Sequence, residues 1–450
     1  MVRVSTTTTT TATPTRSHVH DFVAVGAGPF NLGLAALAEP VADLDGVVLE
    51  ARDEVTWHPG MLLPDSTLQV PFLGDLVSMA DPTNRWSYLN WLKQTGGLYP
   101  FYIREDFHPL RREYSDYLRW AADGLASVRL GQRVTAVTHD GGAYVVTTAA
   151  GDVVHGRRLV LGVGTTPRLP ACVTDAGGPA LHTADYLARR EELLALDSVT
   201  VVGSGQSAAE VYLDLLTATT DATAAGRRGP ELTWLTRSPR FWAMDDSRLT
   251  LEMTSPEYTA YFQGLDAPTR ARLLAEQPVL YKGISTHTVD AVAALHYRLR
   301  ATGQGVPATL VAATELVDAR WDGTAYDLGL HHTESGEDFA VRTQGLVLAT
   351  GYAAGPAPAF LDGVRDRLRL DEHGRFLAGP TYAVDHAQRE VFVQNAEEHT
   401  HGFVAPDLGM GAHRSSVLVN TMTGREVYAV EKRVAVQSFG VPEHLRGDRP

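Results

Sequence analysis

The sequence predicts an α/β protein with two open, parallel sheets and a small, mostly helical region. The main observation is a pair of glycine-rich turns, each lying between a short apolar strand and a helical pattern: HDFVAVGAGPFNLGLAAL and VTVVGSGQSAAEVYLDLL. A second observation is a pair of later apolar runs, GRRLVLGVGTTP and TQGLVLATGY, which close on small residues as buried strands do. Strands and helices in this alternating order favour parallel sheets.

The first glycine-rich turn is typical of a Rossmann-like dinucleotide site. Its first glycine permits a tight turn, and its second lets the backbone approach a pyrophosphate at the helix N-terminus. The next strand, GVVLEA, ends in an acid that follows the first glycine by 24 residues, near the spacing at which a carboxylate binds a ribose. This pattern favours an unphosphorylated dinucleotide such as FAD. The predicted cofactor-binding residues are Gly26, Gly28, Pro29, Asn31, Leu32 and Glu50.

The second turn leads into a strand that ends differently. This strand-like run, ELTWLTRSPR, ends in arginines rather than an acid. A guanidinium can bind the 2′-phosphate of NADPH, although these arginines could also be solvated surface residues. The predicted NADPH-binding residues are Gly203, Gly205, Gln206, Ser207, Ala208, Arg237 and Arg240.

The order of these motifs predicts a domain inserted within another domain. We expect a disordered leader over residues 1–17 and an FAD-binding domain over 18–168 and 345–430. The NADPH-binding domain spans 190–344 and includes a substrate-binding insert at about 240–300, and 431–450 form a C-terminal tail. Thr350 and Gly351, in the returning strand-to-turn segment, are further cofactor-binding candidates.

Composition excludes several functional classes. The formal net charge of −14 argues against nucleic acid as a partner. No apolar run is long enough to span a bilayer, and the N-terminus lacks the apolar core of a signal peptide. The single cysteine, Cys172, excludes an intrachain disulfide and dithiol chemistry, and indicates the cytoplasm.

Several longer segments carry a resemblance: GAGPFNL, WHPGMLLPDSTLQVPFLGDLV, GSGQSAAE, LATGY and EHTHGFVAPDL. From about Asp21 to Tyr428 the chain resembles the flavin-dependent N-hydroxylating monooxygenases of siderophore biosynthesis. The segments DDSRLTLEMTSPEYTAYFQGL and YKGISTHTVDAV resemble the lysine and diamine branch of that family, and are most similar to cadaverine and putrescine N-hydroxylases.

The resemblance implies a reaction and a set of residues. NADPH reduces FAD, O₂ adds at flavin C4a, and the resulting C4a-hydroperoxyflavin passes its distal oxygen to an amine nitrogen. Gln69 is then expected near the reactive ring, with Trp57 and His58 packed along it. A homo-oligomer is also implied. No metal is expected, because His399 and His401 have no separate ligand partner at suitable spacing.

Four positions bear on the substrate. Amino-acid hydroxylases of this family usually carry a lysine at the position of Gly74 and a serine at that of Gly409, and Leu251 replaces a frequent amide or acid. These losses favour a substrate without a carboxylate. Asp407 is predicted to bind the distal ammonium, although its type and place equally suit a helix cap. Lys282 could still supply a compensating cation.

The predicted function is therefore FAD- and NADPH-dependent N-hydroxylation of an aliphatic diamine, cadaverine or putrescine, for a hydroxamate siderophore. L-Lysine N6-hydroxylation is the first alternative. An NADPH oxidase or diaphorase and a non-catalytic NADPH-binding sensor are alternatives of other classes.

Overall fold

The computed structural model describes residues 18–446; the predicted leader over 1–17 lies outside them. The first parallel sheet has five strands whose pairings are all parallel. Its strands read as continuous apolar runs because helices and loops cover both faces. In spatial order they are Val391–Val393, Leu159–Leu161, Phe22–Val25, Gly46–Leu49 and Val128–Arg129.

Helices cover one face of the first sheet. Pro29–Ala38 follows the first glycine turn and packs against Gly411–Thr423 and Arg111–Gly124. The apolar face of Arg111–Gly124 buries Tyr114 and Tyr117. The shorter helices Tyr88–Thr95 and Leu98–Arg104 complete this layer.

The second parallel sheet also has five strands. In spatial order they are Leu181–His182, Gly345–Leu348, Ser198–Val202, Glu231–Leu235 and Ala308–Val311. Two parallel sheets with flanking helices confirm the predicted fold class. The flanking helices are Tyr186–Leu194, Gln206–Ala224 and Thr286–Ala301.

The strand Gly345–Leu348 corrects one predicted domain boundary. We expected the chain to return to the first sheet at residue 345, but this strand pairs with Ser198–Val202 in the second sheet. The apolar run GLVL suits the interior of either sheet, so only the pairing decides its place. The chain rejoins the first sheet at Val391–Val393, which pairs with Leu159–Leu161.

Three smaller sheets are antiparallel or mixed. Thr166–Pro167 and Tyr352–Ala353 form a two-stranded antiparallel link between the part of the chain built on the first parallel sheet, the first domain, and the part built on the second, the second domain. A three-stranded meander comprises Thr314–Trp321, Tyr326–His332 and Glu337–Thr343. A four-stranded sheet on the first domain comprises, in spatial order, Val19–His20, Val153–Gly156, Ala143–Thr148 and Val134–Asp140.

The segment predicted to be a helical substrate region is helical. Its helices Arg248–Leu251, Pro256–Gln263 and Ala267–Glu276 precede Thr286–Ala301, which packs on the second sheet's helix Gln206–Ala224. Tyr258 and Phe262 pack against Phe403, Val404 and Met410. The remaining short helices are Pro59–Met61, Ala171–Ala176, Thr183–Asp185, Pro278–Leu280, Ala359–Arg367, Glu398–His401, Leu408–Met410 and Glu443–Leu445.

The described part of the C-terminal tail is fastened to these helices. The backbone N–H groups of Val434 and Ala435 reach the Glu257 carboxylate, and that of Gln437 donates to Glu252 at 2.9 Å. Within residues 18–446, no helix combines the length and apolarity needed to cross a membrane.

Candidate functional site

A cleft of about 1510 Å³ lies at the carboxyl ends of both parallel sheets. Its lining begins where the strands Phe22–Val25, Leu159–Leu161, Ser198–Val202 and Gly345–Leu348 end, and it includes both glycine-rich turns. In open α/β sheets this edge is where ligands bind. The two predicted nucleotide sites therefore open into one space.

The two positions of the first turn are glycine for different structural reasons. Gly26 has φ +92°, and a Cβ there would lie 2.4 Å from the carbonyl oxygen of Gly162, so no other residue fits. Gly28 caps the helix Pro29–Ala38, and no atom of the described chain lies within 4 Å of where its Cβ would be. The helix N-terminus thus faces open space of the kind that a pyrophosphate fills.

Glu50 is held beside this turn. One carboxylate oxygen accepts the Ala27 N–H at 2.7 Å, and the other accepts the Arg52 N–H at 3.0 Å. The side chain lines the cleft at the end of its strand. A carboxylate in this position can accept hydrogen bonds from a ribose diol.

Asn31 stabilises the first turn through side-chain hydrogen bonds to its backbone. Its buried side-chain amide donates to the carbonyls of Val25 and Gly26 at 3.1 and 2.8 Å, and its oxygen accepts from Gln394 at 2.8 Å. The Gln394 Oε1 is buried and has no hydrogen-bond partner among the residues described. Sequence analysis missed Gln394, which follows the strand Val391–Val393, because no local motif marks it. Leu32 is a core residue and does not line the cleft.

The second turn repeats this construction. At Gly203, with φ +148°, a Cβ would lie 2.2 Å from the carbonyl oxygen of Ala349. Gly205 caps the helix Gln206–Ala224, and Ser207 lines the cleft beside it. Ala208, by contrast, is fully buried in the second core and contributes packing alone.

Gln206 connects the second turn to the following segments. Its side-chain oxygen accepts the Ser285 N–H at 2.8 Å, and its amide donates to Glu210 and Thr288, each at 2.9 Å. Glu210 in turn forms a bidentate pair with Arg111 of the first domain at 2.8 and 2.9 Å, and both side chains are buried. Sequence analysis missed this pair.

The structure distinguishes the two predicted phosphate-binding arginines. Arg237 lines the cleft, and its exposed guanidinium lies 3.7 Å from Glu315. Arg240 does not line the cleft, and its guanidinium lies 3.8 Å from Glu334. Only Arg237 is therefore placed at the second turn's end of the cleft.

Aromatic rings form part of the cleft wall near the first turn. His58, with φ +49°, packs edge-on against Trp57 at 4.6 Å and against Tyr352 at 5.8 Å between ring centroids. Desolvation by the surrounding protein, with the nearby charges of Arg111 and Arg52, lowers the pKa of His58 to about 4, although its side chain is exposed to the open cleft. Its ring is therefore neutral at pH 7 and provides a flat, uncharged surface.

Thr350 and Gly351 lie on the cleft at the link between the domains. The Thr350 hydroxyl donates to the Arg168 carbonyl, and the Gly351 carbonyl accepts the Arg168 N–H at 2.9 Å. Gly351 has φ +74° and hydrogen-bonds through its carbonyl to His182 Nε2 at 3.1 Å.

Gln69 lies where the first domain meets the helical region. Its amide donates to the Gly283 carbonyl at 3.3 Å and lies 3.7 Å from the Met244 sulfur. Next to Gly283, the ammonium of Lys282 is 3.0 Å from the Glu398 carboxylate, which also accepts the Tyr281 hydroxyl. All of these residues except Met244 line the cleft.

The four predicted substrate residues do not line the cleft. Gly74 is buried in a turn, where its N–H donates to Pro71 at 2.8 Å, and Leu251 is 48% exposed on a short helix. Asp407 accepts the Gly409 N–H at 2.7 Å and caps the helix Leu408–Met410, which is the structural role that its type and place also allowed. Its neighbours Pro406 and Leu408 line the cleft instead.

Comparison with known proteins decides the family. Residues 18–354 match the family model of L-lysine 6-monooxygenase/L-ornithine 5-monooxygenase. The chain belongs to this family. The putrescine N-hydroxylase of Shewanella oneidensis is 40% identical over 94% of this chain and 84% of its own length. The alcaligin biosynthesis enzyme of Bordetella pertussis is 42% identical over 94% of this chain and 92% of its own.

A solved structure extends this relationship to the whole fold. The FAD-bound cadaverine monooxygenase DfoA of the desferrioxamine pathway, from Erwinia amylovora, is 45% identical and superposes with a TM-score of 0.90. The match covers 95% of this chain and 99% of that protein. The predicted resemblance to N-hydroxylating monooxygenases of siderophore biosynthesis is thereby confirmed.

Proposed function

We propose that the protein is an FAD- and NADPH-dependent monooxygenase that hydroxylates one nitrogen of an aliphatic diamine, for a hydroxamate siderophore. The observation that carries the proposal is the charge balance at the Gln69 end of the cleft. The cation there, Lys282, is already paired with Glu398, so a substrate carboxylate would have no free partner from this lysine. Relatives named putrescine N-hydroxylase and cadaverine monooxygenase support the same substrate class.

The first turn fits FAD. The space at Gly28 would accommodate a pyrophosphate, the Glu50 carboxylate would accept hydrogen bonds from a ribose diol, and the buried Gln394 Oε1 would accept one from a polar ring. The second turn fits NADPH through Gly205 and Arg237. When bound, the flavin supplies the chemistry that activates O₂ with electrons from NADPH.

The protein's own residues must hold a diamine with one end neutral and one end charged. An alkylammonium has a pKa near 10, so the reacting nitrogen must lose its proton in a site that excludes water. The other end keeps its charge and needs an acceptor. Glu398 can provide it, because it lines the cleft and its contacts with Lys282 and Tyr281 both use one carboxylate oxygen, Oε1, whereas Asp407 does not line the cleft. We therefore assign the distal ammonium to Glu398 rather than to Asp407.

Glu398→Gln tests this assignment. Hydrogen bonds to charged groups contribute about 1.5–3 kcal/mol, so kcat/KM for cadaverine should fall about 10-fold or more. Pentylamine, which lacks the distal ammonium, serves as the matched substrate. Its kcat/KM should change little. Flavin reduction by NADPH without amine should keep its wild-type rate. Equal losses of kcat/KM for cadaverine and pentylamine would show that Glu398 does not bind the distal ammonium.

Arg237→Ala tests the NADPH assignment. Loss of a charged hydrogen bond to the 2′-phosphate should raise KM for NADPH about 10-fold and leave KM for NADH unchanged. Arg240→Ala is the matched control, because it removes an equally exposed arginine outside the cleft lining. Steady-state kinetics with both coenzymes measure the effect, and a larger effect at Arg240 would reverse the assignment.

We also propose that the protein acts in the cytoplasm as a homo-oligomer. On the helix Leu98–Arg104, Tyr99, Tyr102 and Ile103 are 73, 66 and 72% exposed, and Phe107 nearby is 51% exposed. Exposed apolar patches of this kind mark interfaces between proteins. Sedimentation should show a species larger than one chain, and Tyr99→Ser with Ile103→Ser should shift it towards the monomer. An unchanged mass would place the interface elsewhere.

The proposed function is tested by product formation. Hydroxylamine should form from cadaverine and putrescine with NADPH and O₂, at higher kcat/KM than from lysine or ornithine. A preference for lysine would establish the L-lysine N6-monooxygenase alternative. Peroxide release regardless of amine would indicate an NADPH oxidase, and bound FAD that NADPH does not reduce would indicate a sensor.

A further inference from the structure

Although no metal is expected from the sequence, we propose that His18, His20 and Asp45 form a binding site for one divalent transition-metal ion of the Zn²⁺ class. His18 Nε2 and His20 Nδ1 each lie 2.7 Å from the same oxygen of Asp45. The three potential ligand atoms lie within 4.8 Å of one another. Within residues 18–446, no other group of three histidine, cysteine or acidic side chains is so arranged.

The local fold holds these three side chains together. His18 and His20 are two positions apart on an extended segment, so their side chains point to the same face. The register of Val19 and His20 with His155 and Gly156 fixes that segment on the sheet. The two histidine rings meet edge-on with centroids 4.5 Å apart.

Asp45 is fixed by a different set of contacts. Its N–H donates to the Asp21 carboxylate at 3.0 Å, and its carbonyl accepts the Asp21 N–H at 2.8 Å. These backbone contacts hold the Asp45 carboxylate beside the two imidazoles, where it can act as a ligand.

The donor set suits zinc and its neighbours in the first transition series. Imidazole nitrogen and carboxylate oxygen bind Zn²⁺ at about 2.0–2.2 Å, which places tetrahedral ligand atoms about 3.3 Å apart. The present nitrogen-to-oxygen spacing of 2.7 Å needs only a small opening to admit an ion. His18 and Asp45 side chains are 70 and 52% exposed, so water can complete the coordination.

The site is separate from the proposed catalytic cleft. Asp45 and Asp21 precede the strands Gly46–Leu49 and Phe22–Val25, whereas the cleft begins where those strands end. A four-residue strand is about 13 Å long, so an ion here would not touch the reacting groups. Its effect would be to fasten the start of the described chain to the first domain.

Calorimetric titration with ZnCl₂ tests the proposal, on the full chain with FAD, without an affinity tag, after treatment with a chelator. We expect one ion per chain. His18→Gln and Asp45→Asn should each weaken binding at least 10-fold, since loss of even an outer partner of a metal ligand costs about 10–100-fold.

His331→Gln is the matched control. His331 also hydrogen-bonds an aspartate, Asp338, at 2.7 Å, but it belongs to no three-ligand group among the residues described. The Zn²⁺-binding isotherm of the His331→Gln variant should match that of the unsubstituted protein. Zn²⁺ should also raise the unfolding temperature of the unsubstituted protein and not that of His18→Gln. Absence of saturable binding, or wild-type binding by both His18→Gln and Asp45→Asn, would overturn the proposal.

Discussion

Gly28→Val should yield a folded protein that no longer retains FAD. No described atom lies within 4 Å of the position of a Cβ at residue 28, so the added side chain meets no protein atom. It would instead occupy the space at the N-terminus of Pro29–Ala38 that the pyrophosphate needs. We expect Kd for FAD to rise at least about 100-fold, a loss of about 2.7 kcal/mol. Flavin absorbance after purification and titration with added FAD measure this loss.

Gly355→Val provides the matched control for this change. A Cβ at Gly355 also meets nothing within 4 Å, and the residue does not line the cleft. The Gly355→Val variant should therefore retain FAD and activity. Normal FAD binding by Gly28→Val would show that the pyrophosphate lies elsewhere, and loss of FAD by both variants would indicate general damage.

Glu210→Ala should cause a large loss of stability. It would leave the buried guanidinium of Arg111 with only the Met61 carbonyl, at 2.8 Å, in place of its bidentate partner. Removing one member of a buried ion pair costs about 3–5 kcal/mol, because the remaining charge stays away from water. Urea-induced unfolding of the FAD-bound protein measures the change.

Two comparisons separate the buried charge from the loss of a side chain. The double variant Arg111→Met with Glu210→Leu should recover most of the stability, because it removes both charges together. Glu276→Ala, which breaks the exposed pair with Arg272, should cost no more than about 0.5 kcal/mol. A double variant less stable than Glu210→Ala would show that the ion pair itself stabilises the contact between the domains.

The parts of the fold that were predictable depend on local patterns. Gly26 and Gly203 each require a conformation or a close approach that only glycine allows, so the two turns are visible in the sequence. The run GLVL at Gly345–Leu348 predicts a buried strand but not its sheet, because pairing partners are distant in sequence. Nothing local marks the pairing of Arg111 with Glu210, whose positions are 99 residues apart.

The site was less predictable than the fold. Asp407 is suited both to binding an ammonium and to capping a helix, and only its hydrogen bond to Gly409 distinguishes the two roles. Glu398 gives no stronger local signal than its neighbour Glu397. The structure separates these two, since Glu397 is buried 2.8 Å from Arg414 whereas Glu398 lines the cleft.

The two-stranded link between the domains allows one domain to be inserted into, or exchanged within, the other. Thr166–Pro167 and Tyr352–Ala353 pair directly, so the two ends of the second domain lie side by side although the domain itself separates them in sequence. Joining neighbouring ends costs little conformational entropy. The second domain of a relative could therefore be exchanged at these two points without reordering the first sheet. The same arrangement explains how a complete domain can interrupt another without disturbing its strand order.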